Sequence, residues 1–393
     1  MTSTSDAAKL RGNWSYPTQV RFGVGRIAEL ADACKSLGLK RPLLVTDPGL
    51  AALPMITDAV AANRAAGVPT GLFSAIKGNP VGKNVEDGLA AFRSGGHDGV
   101  IAFGGGSALD AGKTVALMVG QKRPMWDFED VGDNWKLVDP AGVVPVIAVP
   151  TTAGTGSEVG RASVITNEAT HTKVIVFHPK MLPAIVIADP ALTAGLPPKI
   201  TAATGMDALA HCLEAYCAPG YHPMAEGIAV EGMRLVKEYL PAAVRDGQDL
   251  VARANMMAAA SMGATAFQKG LGAIHALSHP LGALYDTHHG LSNAVVMPYV
   301  LAFNRPAIEG KLTRLAAWLG LPGAGYQAVL DWVLALRREI GIPHTLAEVG
   351  IGTDRLDKLS EMAAVDPSDG GNPIPVGVPE LKRMFVASLE GRL

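Results

Sequence analysis

Four of the ten histidines in this 393-residue chain lie between positions 275 and 289. His275 and His279 are four residues apart, so on a helix both project from the same face. Upstream, the stretch TGMDALAHCLEAY places Asp207 and His211 at the same spacing. A carboxylate and several imidazoles are typical ligands of iron, zinc, copper or nickel, provided that they converge from different elements. These residues, together with His289, therefore predict a metal site, although a single histidine on an apolar helix is more often an ordinary core residue.

A second chemical signal is a glycine-rich run, GGGSALDAGK, at positions 104–113, after an apolar stretch and at the start of a predicted helix. Glycines let backbone N–H groups approach a phosphate, and a helix N-terminus adds a favourable dipole. The run differs from G-x-G-x-x-G because residue 109 is leucine, and from G-x-x-x-x-G-K-[ST] because residue 107 is serine. It predicts a phosphate-binding loop, with a purely structural glycine turn as the alternative.

Polar residues also follow other predicted strands. In open parallel sheets, ligands bind beyond the carboxyl ends of the strands, and both Asp47 and Asn79 fall there. A carboxylate at such a place can bind the ribose hydroxyls of NAD and repel the 2′-phosphate of NADP. Asp47 thus favours NAD over NADP, although an aspartate that only caps a strand end would look the same. The loop VPTTAGTGSE at 149–158 adds three hydroxyls that could bond a ribose, a pyrophosphate or a nicotinamide amide: Thr151, Thr152 and Thr155.

The elements that must position these residues follow two patterns. Up to about residue 117, apolar runs alternate with helical periodicity, which is typical of a doubly wound parallel sheet. Residues 140–190 are rich in strand patterns, whereas beyond 200 the periodicity is almost entirely helical. The predicted fold class is therefore α/β plus all-α. It comprises an N-terminal Rossmann-like, parallel-sheet nucleotide-binding domain over 1–192 and a C-terminal α-helical metal and substrate domain over 193–393.

Composition excludes several classes of function. The net charge of −2 and the 18% of charged residues give no indication of a nucleic-acid or anionic-membrane partner. The three cysteines have no C-x-x-C spacing, which predicts no disulfide framework and a reducing, cytoplasmic location. The first residues, MTSTSDAAKLRGNWSYP, lack the apolar segment of a secretory signal, and no apolar run is long enough to predict a membrane span.

Together these stretches resemble the iron-containing (group III) alcohol dehydrogenase family, whose fold is shared with dehydroquinate synthase and glycerol dehydrogenase. The resemblance rests on motifs that occur in the family's order: FGVG, VTD, GGGSALDAGK, PTTAGTGSE, GMDALAH and HALSHPLGALYDTHHG. It implies hydride transfer between NAD(H) and a small alcohol, aldehyde or ketone, in a cleft between the two domains. It also favours Fe²⁺ over Zn²⁺, which the ligand types alone do not decide, and implies a homo-oligomer, with a dimer as the first expectation.

The resemblance also assigns roles to individual residues. The metal ligands would be Asp207, His211, His275 and His289. The pyrophosphate and its surroundings would be met by Gly105, Gly106, Ser107 and Asp110, and the ribose and nicotinamide by Thr151, Thr152 and Lys173. His279 would lie at the nicotinamide and substrate, as a proton relay or as a wall residue.

Two local features affect this assignment. Many members of the family have proline before the last liganding histidine, whereas this chain has His288, and the glycine that follows His289 favours His289 as the ligand. Pro280 predicts a break in the helix axis directly after His279, which would direct that side chain away from the metal.

Three alternative functions remain at this point. A maleylacetate reductase-like activity differs chiefly in its need for metal. A lyase like dehydroquinate synthase would require a pocket with several lysines and arginines, and few basic residues occur in the motif regions. A nucleotide-binding regulatory protein without turnover would not require the aspartate and three histidines.

Overall fold

A computed structural model describes residues 12–14, for their main chain, and residues 18–393. The rest of the polar N-terminal stretch lies outside the described residues. The chain divides into two compact units: the first extends to Thr152 and includes Gly156–Gly195, and the second contains Ala153–Thr155 and Leu196–Leu393. The sequence had placed the division between residues 192 and 193.

The first unit is an α/β structure. Its strands are β1 (Gly12–Trp14), β2 (Gln19–Phe22), β3 (Leu43–Val45), β4 (Gly71–Phe73), β5 (Val100–Gly104), β6 (Val146–Pro150), β7 (Ala162–Asn167), β8 (Thr172–Phe177) and β9 (Ile185–Ala188). Its α-helices are α1 (Leu30–Ser36), α2 (Pro48–Ala51), α3 (Pro54–Ala65), α4 (Gly82–Ser94) and α5 (Gly106–Met118).

Seven strands form one sheet in the order β1-β2-β9-β6-β5-β3-β4. All neighbouring pairs are parallel except β1 with β2. Strands β3, β5, β6 and β9 are buried along their whole length, which explains their continuous apolar sequences. Because Gly104 pairs with Pro150, the glycine-rich loop and the threonine-rich loop begin side by side at the carboxyl edge of the sheet.

Strands β7 and β8 form a separate antiparallel pair. The Thr166 amide donates to the Pro80 carbonyl oxygen at 2.7 Å, which ties β7 to the segment after β4. This contact places Lys173, at the start of β8, beside Asn79.

The second unit consists of helices. They are α6 (Pro198–Cys217), α7 (Pro223–Arg245), α8 (Leu250–Ala266), α9 (Ala273–Tyr285), α10 (His289–Trp318), α11 (Gly325–Glu339), α12 (Leu356–Ala363) and α13 (Val378–Glu390). Residues 201–217 of α6 are buried on every side, so α6 is the central helix of this unit. The predicted fold class is confirmed. Six parallel strands of the sheet, together with their helices, form the α/β part, and a helical part follows it. Among the described residues, no helix combines the length and the apolar character needed to cross a lipid bilayer.

Candidate functional site

The glycine-rich loop connects β5 to α5. Gly104 has φ of +151°, and a Cβ there would lie 2.7 Å from the Cβ of Ala108, so this turn requires glycine. Gly105 is the N-cap of α5 and Gly106 is its first residue. The first N–H groups of a helix have no partner within it, and the loop therefore presents backbone donors and a positive dipole at the sheet edge. This combination fits a phosphate group.

The threonine-rich loop packs against the glycine-rich loop. The Thr151 amide donates to the Gly104 carbonyl oxygen at 3.0 Å, and Thr151 is buried. A Cβ on Gly105 would be 3.3 Å from Cγ2 of Thr152, so these two residues are neighbours. Thr155, by contrast, belongs to the second unit together with Ala153 and Gly154.

Both oxygens of the Asp110 carboxylate accept hydrogen bonds from other residues of the protein. Its Oδ1 accepts from the Ser157 hydroxyl at 2.5 Å and its Oδ2 from the Val164 amide at 2.9 Å. The buried Lys113 ammonium lies 3.2 Å from Oδ1 and also donates to the Ser157 carbonyl oxygen at 3.0 Å. Asp110 and Lys113 thus hold the end of the threonine-rich loop and the start of β7 against α5, next to Ser107 on the same helix.

Two more of the predicted cofactor residues lie beyond strand ends. Asp47 directly precedes α2 and caps it, because its Oδ1 accepts from the Leu50 amide at 3.1 Å. Its other oxygen, Oδ2, lies 3.6 Å from the position that a Cβ on Gly104 would occupy, so the carboxylate is beside the glycine-rich loop. Asn79 has φ of +48°, and its Oδ1 accepts from the Lys173 ammonium at 2.9 Å.

The second unit brings together the four predicted metal ligands. One potential ligand atom from each of Asp207, His211, His275 and His289 lies within 4.8 Å of the others. They come from three helices, α6, α9 and α10. The Asp207 Oδ1 atom is 4.0 Å from His211 Nε2 and 3.5 Å from His289 Nε2. One carboxylate oxygen and three imidazole nitrogens at this spacing form a donor set that fits a divalent transition metal.

Glycine at position 290 explains why His289 can join this cluster. A Cβ there would overlap the Ala203 carbonyl oxygen on α6 and lie 3.0 Å from the Cβ of Asp207. Only glycine therefore lets the start of α10 approach α6 this closely. His288 is exposed and is the N-cap of α10, where its Nδ1 accepts from the Leu291 amide at 3.4 Å. The structure thus places His289, and not His288, among the four residues.

A buried glutamate fixes the orientation of His275. The Nδ1 atom of His275 lies 2.5 Å from Glu214 Oε2, and Glu214 Oε1 accepts from the Ile274 amide at 2.7 Å. Because a carboxylate accepts, Nδ1 carries the proton, and the lone pair of His275 is on Nε2, the ring atom that faces Asn293.

Burial and charge set the protonation of these histidines. Burial lowers the pKa of His211 to about 4, although the Asp207 carboxylate acts in the opposite direction. His211 is therefore neutral near pH 7, which is the state in which imidazole binds a metal. Burial also acts to lower the pKa of His275, but the Glu214 carboxylate outweighs it and the pKa is raised.

His279 lies next to the four residues without being one of them. Its ring is stacked on that of His289, with centroids 5.3 Å apart, and its Nδ1 lies 2.7 Å from Asp366 Oδ2. Helix α9 continues through Pro280 to Tyr285, so the helix does not end after His279. The side chain of His279 is instead held in place by Asp366.

Sequence reasoning missed three residues that contact the candidate site residues: Glu214, Asn293 and Asp366. Glu214 is three residues after His211, and Asn293 is four residues after His289, so helical periodicity could have indicated both. Asp366 is 87 residues from its partner, and no local pattern connects the two.

Comparisons with known proteins identify the family. The family model described as iron-containing alcohol dehydrogenase matches residues 17–190, and the model of the C-terminal part of the Fe-containing alcohol dehydrogenase family matches residues 201–389. A 4-hydroxybutyrate dehydrogenase of Cupriavidus necator is 40% identical over 387 residues, which are 95% of this chain and 99% of that protein.

Solved structures show the same similarity. A crystal structure of a 1,3-propanediol oxidoreductase superposes with a TM-score of 0.90 at 34% identity, over 94% of this chain and 97% of the other. A sulfoacetaldehyde reductase from Bifidobacterium kashiwanohense, solved in complex with NAD⁺, gives a TM-score of 0.86 at 29% identity, over 96% of this chain and 98% of the other.

Proposed function

This chain belongs to the iron-containing alcohol dehydrogenase family and is an oxidoreductase, and from that premise we propose that it transfers a hydride between NAD(H) and a small alcohol, aldehyde or ketone. The resemblance found in the sequence motifs is confirmed. The observation that carries the proposal is the convergence of Asp207, His211, His275 and His289 in the second unit.

These four residues would hold the metal, with Fe²⁺ as the proposed ion and Zn²⁺ as the alternative. A bound divalent metal supplies Lewis-acid polarisation of a substrate oxygen, and NAD supplies the hydride acceptor. Neutral His211 offers an unprotonated nitrogen, and Glu214 holds His275 in the tautomer whose Nε2 is free to bind. The donor set is thus oriented by the protein itself.

The first unit would bind NAD(H). The backbone N–H groups of Gly105, Gly106 and Ser107 at the N-terminus of α5 would bind the pyrophosphate, while Asp110 holds the neighbouring loop. Asp47 would bind the ribose hydroxyls, which favours NAD over NADP. The ribose and nicotinamide half would be met by Asn79, Thr151, Thr152, Thr155 and Lys173.

His279 would accept the alcohol proton. Its Nδ1–H donates to Asp366, so its lone pair is on Nε2, where it can take a proton from a hydroxyl group. In alcohol oxidation the C–H electron pair and its hydrogen would go to the nicotinamide, and the O–H proton would go to His279. In the reverse direction both would return to the carbonyl group.

The names of three relatives indicate one substrate class. 4-Hydroxybutyrate, 1,3-propanediol and sulfoacetaldehyde are short molecules with a second polar group away from the reacting carbon. We therefore propose a short alcohol or aldehyde of this kind. The relatives are alcohol, diol and hydroxy-acid dehydrogenases, which does not favour the maleylacetate reductase-like and dehydroquinate synthase-like alternatives.

A cytoplasmic location and a homodimer complete the proposal. The three cysteines are buried and unpaired, which suits a reducing compartment. The dimer rests on the family alone, and light scattering on the purified protein at several concentrations tests it.

The main experiment is purification without oxygen, followed by metal analysis and assays with NAD(H) and NADP(H). The substrates would include 4-hydroxybutyrate, 1,3-propanediol, ethanol and their aldehydes. We expect stoichiometric iron, NADH oxidation with at least one aldehyde, loss of activity on chelation and recovery with Fe²⁺. Full activity of metal-free protein would contradict the metal-dependent mechanism.

A further inference from the structure

Asn293 is a buried polar residue beside the four candidate ligands. It lies on α10, one turn after His289, and is completely buried. Its Nδ2 atom is 2.7 Å from Asp207 Oδ1, 3.2 Å from His275 Nε2 and 3.1 Å from His289 Nε2. A single amide group therefore contacts one ligand atom from each of the three helices.

Only one of these contacts is compatible with metal coordination by all the ligands. An imidazole Nε2 has one lone pair, so it cannot bind a metal and accept a hydrogen bond together. A carboxylate oxygen has two lone-pair sites and can do both. The bond from Asn293 to Asp207 is also the shortest of the three, as expected for a charge-assisted hydrogen bond.

We infer that Asn293 is a positioning residue of the metal centre, whose amide donates to Asp207 Oδ1 and fixes the direction of that oxygen. The inference rests on the proposed metal site. It assigns to Asn293 the role toward Asp207 that Glu214 has toward His275. Each of these two ligands is then oriented by a buried side chain that does not itself bind the metal.

The opposite orientation of the amide would give a different role. With the amide rotated by half a turn, Oδ1 would face the same three atoms and could act as a fifth ligand. That rotation would bring two acceptors, Asn293 Oδ1 and Asp207 Oδ1, to hydrogen-bond distance without a proton between them. The carboxylate therefore favours Nδ2 at this position. Asn293 Oδ1 is buried and has no hydrogen-bond partner among the described residues, so no contact of that atom opposes this orientation.

The test is a competition titration of chelator-treated, full-length protein with Co²⁺, followed by its visible absorption. Two variants are used, because Asn293→Ala leaves a cavity, whereas Asn293→Leu fills a similar volume without a donor. Asn304→Ala is the matched control, since Asn304 is also a buried asparagine on α10 but pairs with Asn372. Thermal unfolding of every variant establishes that it is folded.

We expect both Asn293 variants to bind Co²⁺ about 10- to 100-fold more weakly, as is typical for loss of a residue that supports a metal ligand. Their Co²⁺ absorption bands should shift in position but keep the wild-type intensity, because the number of ligands around Co²⁺ is unchanged. The control variant Asn304→Ala should match the wild type in both Co²⁺ affinity and absorption. Unchanged affinity in the Asn293 variants would overturn the inference. A band intensity that indicates one ligand fewer would also overturn it, because Asn293 would then be a ligand. A wild-type protein that binds no Co²⁺ would instead contradict the metal site itself.

Discussion

The imidazole of His279 and the carboxylate of Asp366, 87 residues apart in the chain, are joined at 2.7 Å from Nδ1 to Oδ2. Asp366 is held in turn, because its Oδ1 accepts from the Ser368 amide at 2.9 Å. Burial acts to raise the pKa of Asp366, but His279 outweighs it and the pKa is lowered, so the carboxylate is ionised near pH 7. The pair therefore fixes both the direction of the ring and the tautomer with a free Nε2.

Replacing His279 should separate the proton acceptor from the metal ligands. We expect His279→Ala to keep its metal but to lose about 10²- to 10⁴-fold in kcat, the usual contribution of a general base. Asp366→Asn should lower kcat less, because the ring remains but its orientation and tautomer are no longer fixed. The measurements are metal content and steady-state rates.

Asp369→Asn is the control for this prediction, since Asp369 lies in the same turn as Asp366. It should have the wild-type rate. A His279→Ala variant with unchanged kcat would reduce His279 to a wall residue. A loss of metal as large as that of a ligand variant would make His279 a ligand.

Replacing the proposed ligands should remove the metal. His275→Ala and His289→Ala should fold but retain little iron and lose more than about 100-fold in activity, beyond the effect of losing a supporting residue. His288→Ala is the matched control, because it removes the neighbouring imidazole together with its N-cap contact to the Leu291 amide. Circular dichroism and metal analysis on the same samples decide the outcome. Normal metal content in either ligand variant would exclude that residue from the site.

We propose that cofactor preference depends on Asp47, and the contacts of Asp47 indicate which variant tests this best. Asp47 caps α2, so Asp47→Gly removes both the charge and the cap. Asp47→Asn removes the charge and keeps a good N-cap residue. We expect both variants to improve kcat/KM for NADP(H) relative to NAD(H) by about tenfold, corresponding to about 1.4 kcal/mol of relieved repulsion.

The control for Asp47 is Asp139→Asn, which makes the same change at another N-cap, where Asp139 accepts from the Ala141 amide. It should leave the cofactor preference unchanged. A wild-type protein that prefers NADPH, or an Asp47→Asn variant with an unaltered preference, would show that Asp47 does not face the ribose.

The sequence predicted the sheet and the grouping of the four candidate ligands because both have local signals. Asp207 with His211 depends on a spacing of four residues, which is a property of the helix alone. Strands such as β5 and β6 are recognisable because both their faces are buried. The pattern of β7 and β8 could predict strands but not that they form a separate sheet, since strand pairing depends on tertiary contacts.

The residues that contact the candidate ligands or His279 are harder to predict from the sequence than the candidate ligands themselves. Glu214 and Asn293 follow helical spacing, but glutamate and asparagine occupy exposed helix faces equally well, so their burial is known only from packing. The pairing of His279 with Asp366 joins distant parts of the chain. Pro280 predicted a break because proline removes a backbone donor and clashes with the preceding turn, yet the surrounding buried helix accommodates it.

A cluster of charges at the end of α6 supports the last prediction. The Lys269 and Lys311 ammonium groups both donate to the Tyr216 and Ala218 carbonyl oxygens, at 2.6 to 3.2 Å. Both also donate to Glu226 Oε1, at 2.7 and 3.1 Å. Lys311 therefore links the C-terminal end of α6, which carries Asp207 and His211, to α10, which carries His289. Glu226, on α7, binds both ammonium groups at this junction.

Glu226→Gln should destabilise the protein in a pH-dependent way. Burial acts to raise the pKa of Glu226, but the hydrogen bonds from Lys269 and Lys311 outweigh it, and the pKa is held below its usual value of 4.5. A group whose pKa is lower in the folded state stabilises the fold above its unfolded pKa, and this contribution is lost as the pH falls through the folded value. We expect the variant to lose about 1–3 kcal/mol in free energy of unfolding at pH 7, because two ammonium groups remain without a carboxylate. The difference from the wild type should shrink below about pH 4.5.

The control is Glu231→Gln on the same helix, which removes an exposed ion pair with Arg234 and should lower the free energy of unfolding by less than about 1 kcal/mol. Denaturant unfolding at pH 7 and at a pH below about 4.5 tests this prediction. A loss of free energy of unfolding that is equal in the two variants, or that does not change with pH, would show that Glu226 does not stabilise the end of α6.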